Sequence, residues 1–168
     1  FDSPSSPFIE TYISIFAGSV KYIPNELGID RCKIEVLQML KKDGKIIDFQ
    51  KIVLENKGVT AIDLYNDPLH QHRFFVENGD YEYEVEIVDL FNDSAKKITY
   101  KKEFKLDFNN GIEISDIELL DSFWKSDKAS KTSKSGFEMV PLVSDYFSPE
   151  FDKIAYYFEI YNTDKELG

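Results

Sequence analysis

Two histidines, His70 and His72, are spaced i, i+2. On an extended strand alternate side chains share a face, so both imidazoles could address one metal ion. Zinc requires three or four ligands. With one cysteine and no further histidine, the rest must be carboxylates such as Asp67. The pair reads equally as two polar residues on the wet face of an edge strand. A second chemistry lies in the acidic turns, where Asp63, Asp67, Asp89, Asp93 and Asp107 offer oxygens to calcium, a cation that takes six to eight of them. Asp107-Phe108-Asn109-Asn110-Gly111 resembles a calcium loop, but its glycine comes one position early for the EF-hand pattern and no glutamate follows at the required distance. Solvated turn residues are the plainer reading.

Glu82, Glu84 and Glu86 imitate paired catalytic carboxylates, yet they alternate along a single strand with nothing to bury them. General acid catalysis at neutral pH needs a raised carboxyl pKa, so we expect these three to be solvated and to discourage strand-to-strand sticking. Trp124, after Phe123 and before a basic stretch, offers an aromatic platform for a sugar ring, as do Tyr146 and Phe147. Tryptophan more commonly buries most of its area. Asn92-Asp93-Ser94 is a formal glycosylation sequon at a turn. No Gly-x-Ser-x-Gly elbow, nucleophile partner for the histidines or glycine-rich phosphate loop occurs. The expectation is a chain without catalysis or cofactor.

The elements that would position these residues are strands. In 79–89, Tyr81, Tyr83, Val85 and Ile87 alternate with Glu82, Glu84 and Glu86, which gives a strand one packed and one wet side. Its Gly-Asp-Tyr entry looks like the corner of an immunoglobulin-type F strand, where a tyrosine hydroxyl ties back to the backbone. Residues 31–40 admit both strand and helix, but Lys42-Asp43-Gly44-Lys45 followed by Ile46, Ile47, Phe49, Ile52 and Val53 signals a hairpin. Further strands are expected from Phe8 to Phe16, around His70–Phe75, from Ile98 to Phe108 and from Ile112 to Leu120, with two more at Phe137–Val143 and Ile154–Tyr161. Residues 59–65 read as a weak strand or a helical turn. The polar stretch 125–136 reads as a mobile loop or linker.

This pattern predicts an all-β protein: a polar leader at 1–7, an antiparallel immunoglobulin-like β-sandwich over 8–111, and strands of a partial second sandwich over 112–168. The first residue is Phe1, and the leader is expected to follow a removed signal. In 168 residues, 31 acidic against 20 basic side chains give a net charge of −11. Such a surface repels phosphate backbones and anionic lipid, which argues against nucleic acid and membrane-surface binding. No apolar run reaches the length of about eighteen residues that a spanning helix needs. Cys32 has no intrachain disulfide partner and is expected to pack as a small hydrophobe.

Pro7-Phe8-Ile9-Glu10-Thr11-Tyr12, Ser115-Asp116-Ile117-Glu118-Leu119 and Tyr157-Phe158-Glu159-Ile160-Tyr161-Asn162 resemble the N-terminal region of GWxTD-domain proteins, secreted or envelope proteins of Bacteroidetes-type bacteria. The Gly-Trp-x-Thr-Asp motif itself is not in this chain. The resemblance implies tandem β-sandwich modules in the periplasm or at the cell surface. The functional expectation is a non-catalytic protein-interaction or scaffold module with a protein partner. The alternative is a sandwich that binds carbohydrate or calcium.

Overall fold

The computed structural model describes residues 7–55, 69–94, 96–109, 111–128, 130, 132–144 and 152–163. Their regular structure is nearly all strand, in antiparallel sheets. The chain divides into two units, the first comprising Phe1–Glu10 and Ser14–Asp107, the second Thr11–Ile13 and Phe108–Gly168.

Strand β1 (Phe8–Ser14) is shared, residues 11–13 belonging to the second unit and the rest to the first, which further contains β2 (Ile23–Pro24), β3 (Asp30–Arg31), β4 (Lys33–Lys42), β5 (Lys45–Glu55), β6 (Leu69–Phe75), β7 (Gly79–Asp89) and β8 (Ile98–Leu106). A 3-10 turn at Ala17–Ser19 follows β1, so the first strand stops short of Phe16. The helix reading of 31–40 gives way to strand β4. Its hairpin turn holds Asp43 at φ 52° and Gly44 at φ 73°, the paired positive φ values that a two-residue turn of primed type requires and Asp-Gly tolerates. Four strands form one sheet in the order β5-β4-β7-β8, and β1 pairs with β6.

Register assigns the faces of that sheet. Val36 of β4 stands opposite Ile52 of β5 and Ile87 of β7, and Gln38 opposite Gln50 and Val85. Ile34, Val36, Gln38 and Leu40 are all buried on this face. Phe74 of β6, fully buried, meets Tyr83 of β7 edge-on at 6.1 Å, and Cys32 joins the core as a buried free thiol. At the start of β7 the Tyr81 hydroxyl ties back to the backbone: it donates to the Glu77 carbonyl at 2.9 Å and accepts the Glu77 amide at 3.2 Å. The β7–β8 register runs without a shift, which keeps Ile98, Tyr100, Phe104 and Leu106 on one face.

In the second unit the strands are β9 (Glu113–Ile114), β10 (Glu118–Lys125), β11 (Ser133–Lys134), β12 (Phe137–Pro141), β13 (Ala155–Tyr157) and β14 (Ile160–Tyr161). They form a sheet of order β11-β12-β10-β13 and a β14-β9 pair. The single strand expected over 112–120 is divided in two. Ser115 breaks it by donating its amide to the Glu159 carbonyl and accepting the Glu159 amide on its hydroxyl, both at 2.9 Å. Residues 125–136, expected as a loop, contain β11. Leu120 and Met139 are the large apolar side chains buried here among the described residues.

Candidate functional site

His70, His72 and Phe74 alternate along β6 and share the face turned to the larger sheet. His70 Nε2 meets Gln50 Oε1 at 2.6 Å, Gln38 Nε2 reaches the same oxygen at 3.4 Å, and the Tyr83 hydroxyl donates to Gln38 Oε1 at 2.6 Å. His72 stands edge-on to Phe74 at 4.4 Å. The pair therefore lines a packed polar seam rather than a wet edge. Asp67, and with it Asp63, lies outside the described residues. Among the described residues no three His, Cys, Asp or Glu side chains come together as a metal site would need.

Asp89 ends β7 and uses both oxygens on backbone amides, Oδ2 taking Lys21 at 2.8 Å and Oδ1 taking Phe91 at 3.0 Å. That is turn-capping chemistry, the short-range habit of aspartate. Asp93 is exposed in the turn that follows, and Asp107 is exposed at the end of β8. Beyond Asp107, the Asn109 amide donates to Glu113 Oε1 and the Gly111 amide to Asn109 Oδ1, each at 2.7 Å.

The expectation of a fully solvated glutamate row is corrected at Glu84, which is buried. Register puts Met39 of β4 and Lys101 of β8 on either side of it, and lysine stems cover what they pair with. Lys41 binds Glu84 and, at 2.9 Å, Glu82; Lys101 reaches Glu84 at 3.0 Å, while Lys97 pairs with Glu86. The Lys41 ammonium, then that of Lys101, holds the Glu84 carboxyl below its ordinary range, and Glu84, then Glu82, holds Lys41 above its own. A carboxyl pushed in this direction stays ionised at neutral pH and is no general acid.

The second unit carries two polar clusters that sequence reading missed. In one, the Lys134 ammonium binds Glu118 Oε2 at 2.5 Å and the Tyr12 hydroxyl at 3.0 Å, and lies over the rings of Tyr12 and Tyr157. The Tyr12 hydroxyl donates to Glu118 Oε1 at 2.7 Å, and that of Tyr157 to Glu159 Oε1 at 2.6 Å. Burial first, and the Glu159 bond second, push the Tyr157 phenol up to about 12. In the other cluster Ser130, Thr132 and Ser133 all donate hydroxyls to the Glu138 carboxylate and hold its pKa down. Tyr12 and Glu118 are 106 positions apart, so no local spacing could have announced the first cluster. The second had a readable signal in its dense run of hydroxyls shortly before a glutamate.

Trp124 is 52 % exposed and stands across the β10–β12 ladder from Glu138. Tyr146 and Phe147 lie outside the described residues. Another exposed apolar feature is β5, at the end of its sheet. Ile46, Ile47, Phe49 and Val53 are all exposed there, Phe49 to 64 %. The opposite edge, β8, carries Lys101, Lys102 and Lys105, the residue type that keeps edges apart. Among the described residues no helix is long and apolar enough to cross a membrane. No family model, no curated protein and no solved structure matches this chain.

Proposed function

We propose that this chain is a non-catalytic protein-interaction module of a bacterial envelope or secreted protein, built on an immunoglobulin-like sandwich. The observation that carries the reading is strand β5, eleven residues long at a sheet edge with four large apolar side chains turned to solvent. An edge strand offers unpaired amides and carbonyls to an added strand, and apolar side chains beside it supply the pockets. The order β5-β4-β7-β8 corresponds to C′-C-F-G of an immunoglobulin-type sheet, and the Tyr81–Glu77 tie supports the same assignment. Envelope location rests on the resemblance to GWxTD-domain proteins.

A second reading, carbohydrate binding, is favoured by exposed Trp124 opposite the hydroxyl-ringed Glu138, because a flat aromatic face beside polar groups suits a sugar ring. A photo-reactive residue placed at position 49, and separately at 124, in the producing cells distinguishes the two. A discrete adduct with another protein at position 49 supports the interaction module. Absence of any protein adduct, together with a melting temperature raised by glycans or calcium, moves the assignment to the ligand-binding sandwich.

A further inference from the structure

We propose that Lys134 and Glu118 join covalently after folding: the amine and the carboxyl condense to an amide, one water is lost, and Tyr12 carries the protons between them. The cross-link is independent of the interaction-module reading. Both partners are withdrawn from solvent, with side chains 11 % and 13 % exposed, and Nζ lies 2.5 Å from Oε2. The rings of Tyr12 and Tyr157 stand over Nζ at 5.8 Å and 5.5 Å. The Tyr12 hydroxyl touches both partners, accepting from Nζ at 3.0 Å and donating to Oε1 at 2.7 Å. That places a phenol as proton carrier between the amine and the oxygen that must leave. At Lys41 and Glu84, by contrast, charge is shared outward, Lys41 with Glu82 and Glu84 with Lys101.

The step balances without a further reactant. The ammonium carries three protons and the carboxylate none. Rotation about the soft terminal torsion of Glu118 turns Cδ toward Nζ, which attacks it. Oε2 stays as the amide carbonyl and the Cδ–Oε1 bond breaks. One proton remains on the amide nitrogen; the other two pass through Tyr12 to Oε1, which departs as water. Fixed proximity replaces the encounter that makes condensation unfavourable in bulk water, and exclusion of solvent opposes hydrolysis back. The bond would close a sheet. Strands β11 and β13 are its two ends. Glu118 stands opposite Tyr157 of β13, whose hydroxyl lies 3.2 Å from that of Ser135, so side chains bring the ends together. Leu120 and Met139 are the large apolar side chains buried in this unit among the described residues, and the single Cys32 permits no disulfide within the chain. A covalent tie is what such a small core lacks.

Intact mass of the full chain, denatured after prolonged incubation in the folded state, tests this. The mass should fall one water below that of the sequence, and digestion should yield a branched peptide joining residue 118 to residue 134. Asp43-Gly44 can also shed water by closing to a succinimide, so the position of the link decides. Lys134→Arg, whose guanidinium stays protonated, should keep the full mass. Tyr12→Phe retains the ring and should slow the link on the order of a hundredfold; its melting profile establishes that it folds. A parent chain at full sequence mass, a water loss that maps elsewhere, or a link that forms undiminished in folded Tyr12→Phe overturns the proposal. None of these outcomes bears on the cross-link from position 49 to another protein, which tests the module.

Discussion

The two units are made of the same element, the antiparallel strand, and are held by different forces. In the first, Ile34, Val36, Leu40 and Phe74 are sealed from water, and ion pairs such as Lys41–Glu84 run along the opposite face of the sheet. In the second, Leu120 and Met139 are the buried large apolar residues among those described, while Phe123, Trp124, Ile154 and Tyr156 are exposed. That unit carries instead the polar clusters centred on Lys134 and Glu138. The contrast teaches that a strand-rich sequence does not of itself supply a core: the same alternation buries a face only where a second layer meets it.

The sharpest way to break the comparison is to cut each unit where it is held. Leu40→Ala, at a fully buried position of β4, should cost about 2–5 kcal/mol in urea unfolding, an effect confined to the transition of the first unit. Lys134→Ala leaves Glu118 half-buried without its cation and should cost about 1–3 kcal/mol in the second unit. Equal loss in both transitions from either variant would show that the units do not divide as described.

Next comes pH, to which each unit should answer through groups of its own. Glu84 has its folded pKa depressed from the ordinary 4.5, so its contribution is full above that value and fades as pH falls through the lower folded one. Lys41 is raised from 10.5, so its contribution is full below 10.5 and fades as pH climbs past it. Tyr157 is raised from 10.0 to about 12, so folding favours the neutral phenol and the second unit should weaken as pH rises from 10.0 toward about 12. Ultraviolet titration of tyrosinate should show one late-ionising phenol, absent in Tyr157→Phe. Glu84→Gln should flatten the acid limb of the first unit only.

A smaller effect is expected at the corner. Tyr81→Phe keeps the ring beside Phe104 and loses the hydroxyl tie to Glu77, a change of about 0.5–1.5 kcal/mol. The smallest belongs to Trp124→Ala, within about 0.5 kcal/mol of the parent because the ring is half in water; a large destabilisation there would make Trp124 a core residue and end its candidacy as a binding platform.

The sequence made the larger sheet legible because its signals are local. The tyrosine–glutamate alternation of 81–87 gives β7, and Asp43-Gly44 fixes the hairpin that decides β4 and β5 against a helix. What stayed hidden depends on neighbours distant in the chain. Glu84 looks as wet as Glu86 until Lys41 and Lys101 arrive from flanking strands, and Tyr12 meets Glu118 and Lys134 only after folding. His70 and His72 share a face as the spacing said, but periodicity could not tell that the face turns toward Gln50 and Phe74. The site residues were less legible: Trp124 is half exposed where burial was the plainer expectation, and Asp89 caps its own turn.

Residue-resolved hydrogen exchange on the full chain tests the division of forces most directly. Amides of β4 and β7 should exchange only through global unfolding of the first unit, while β10 and β12 should open at distinctly lower free energy and lose further protection in Lys134→Ala. Uniform protection across all four strands, unchanged by that substitution, would contradict the account.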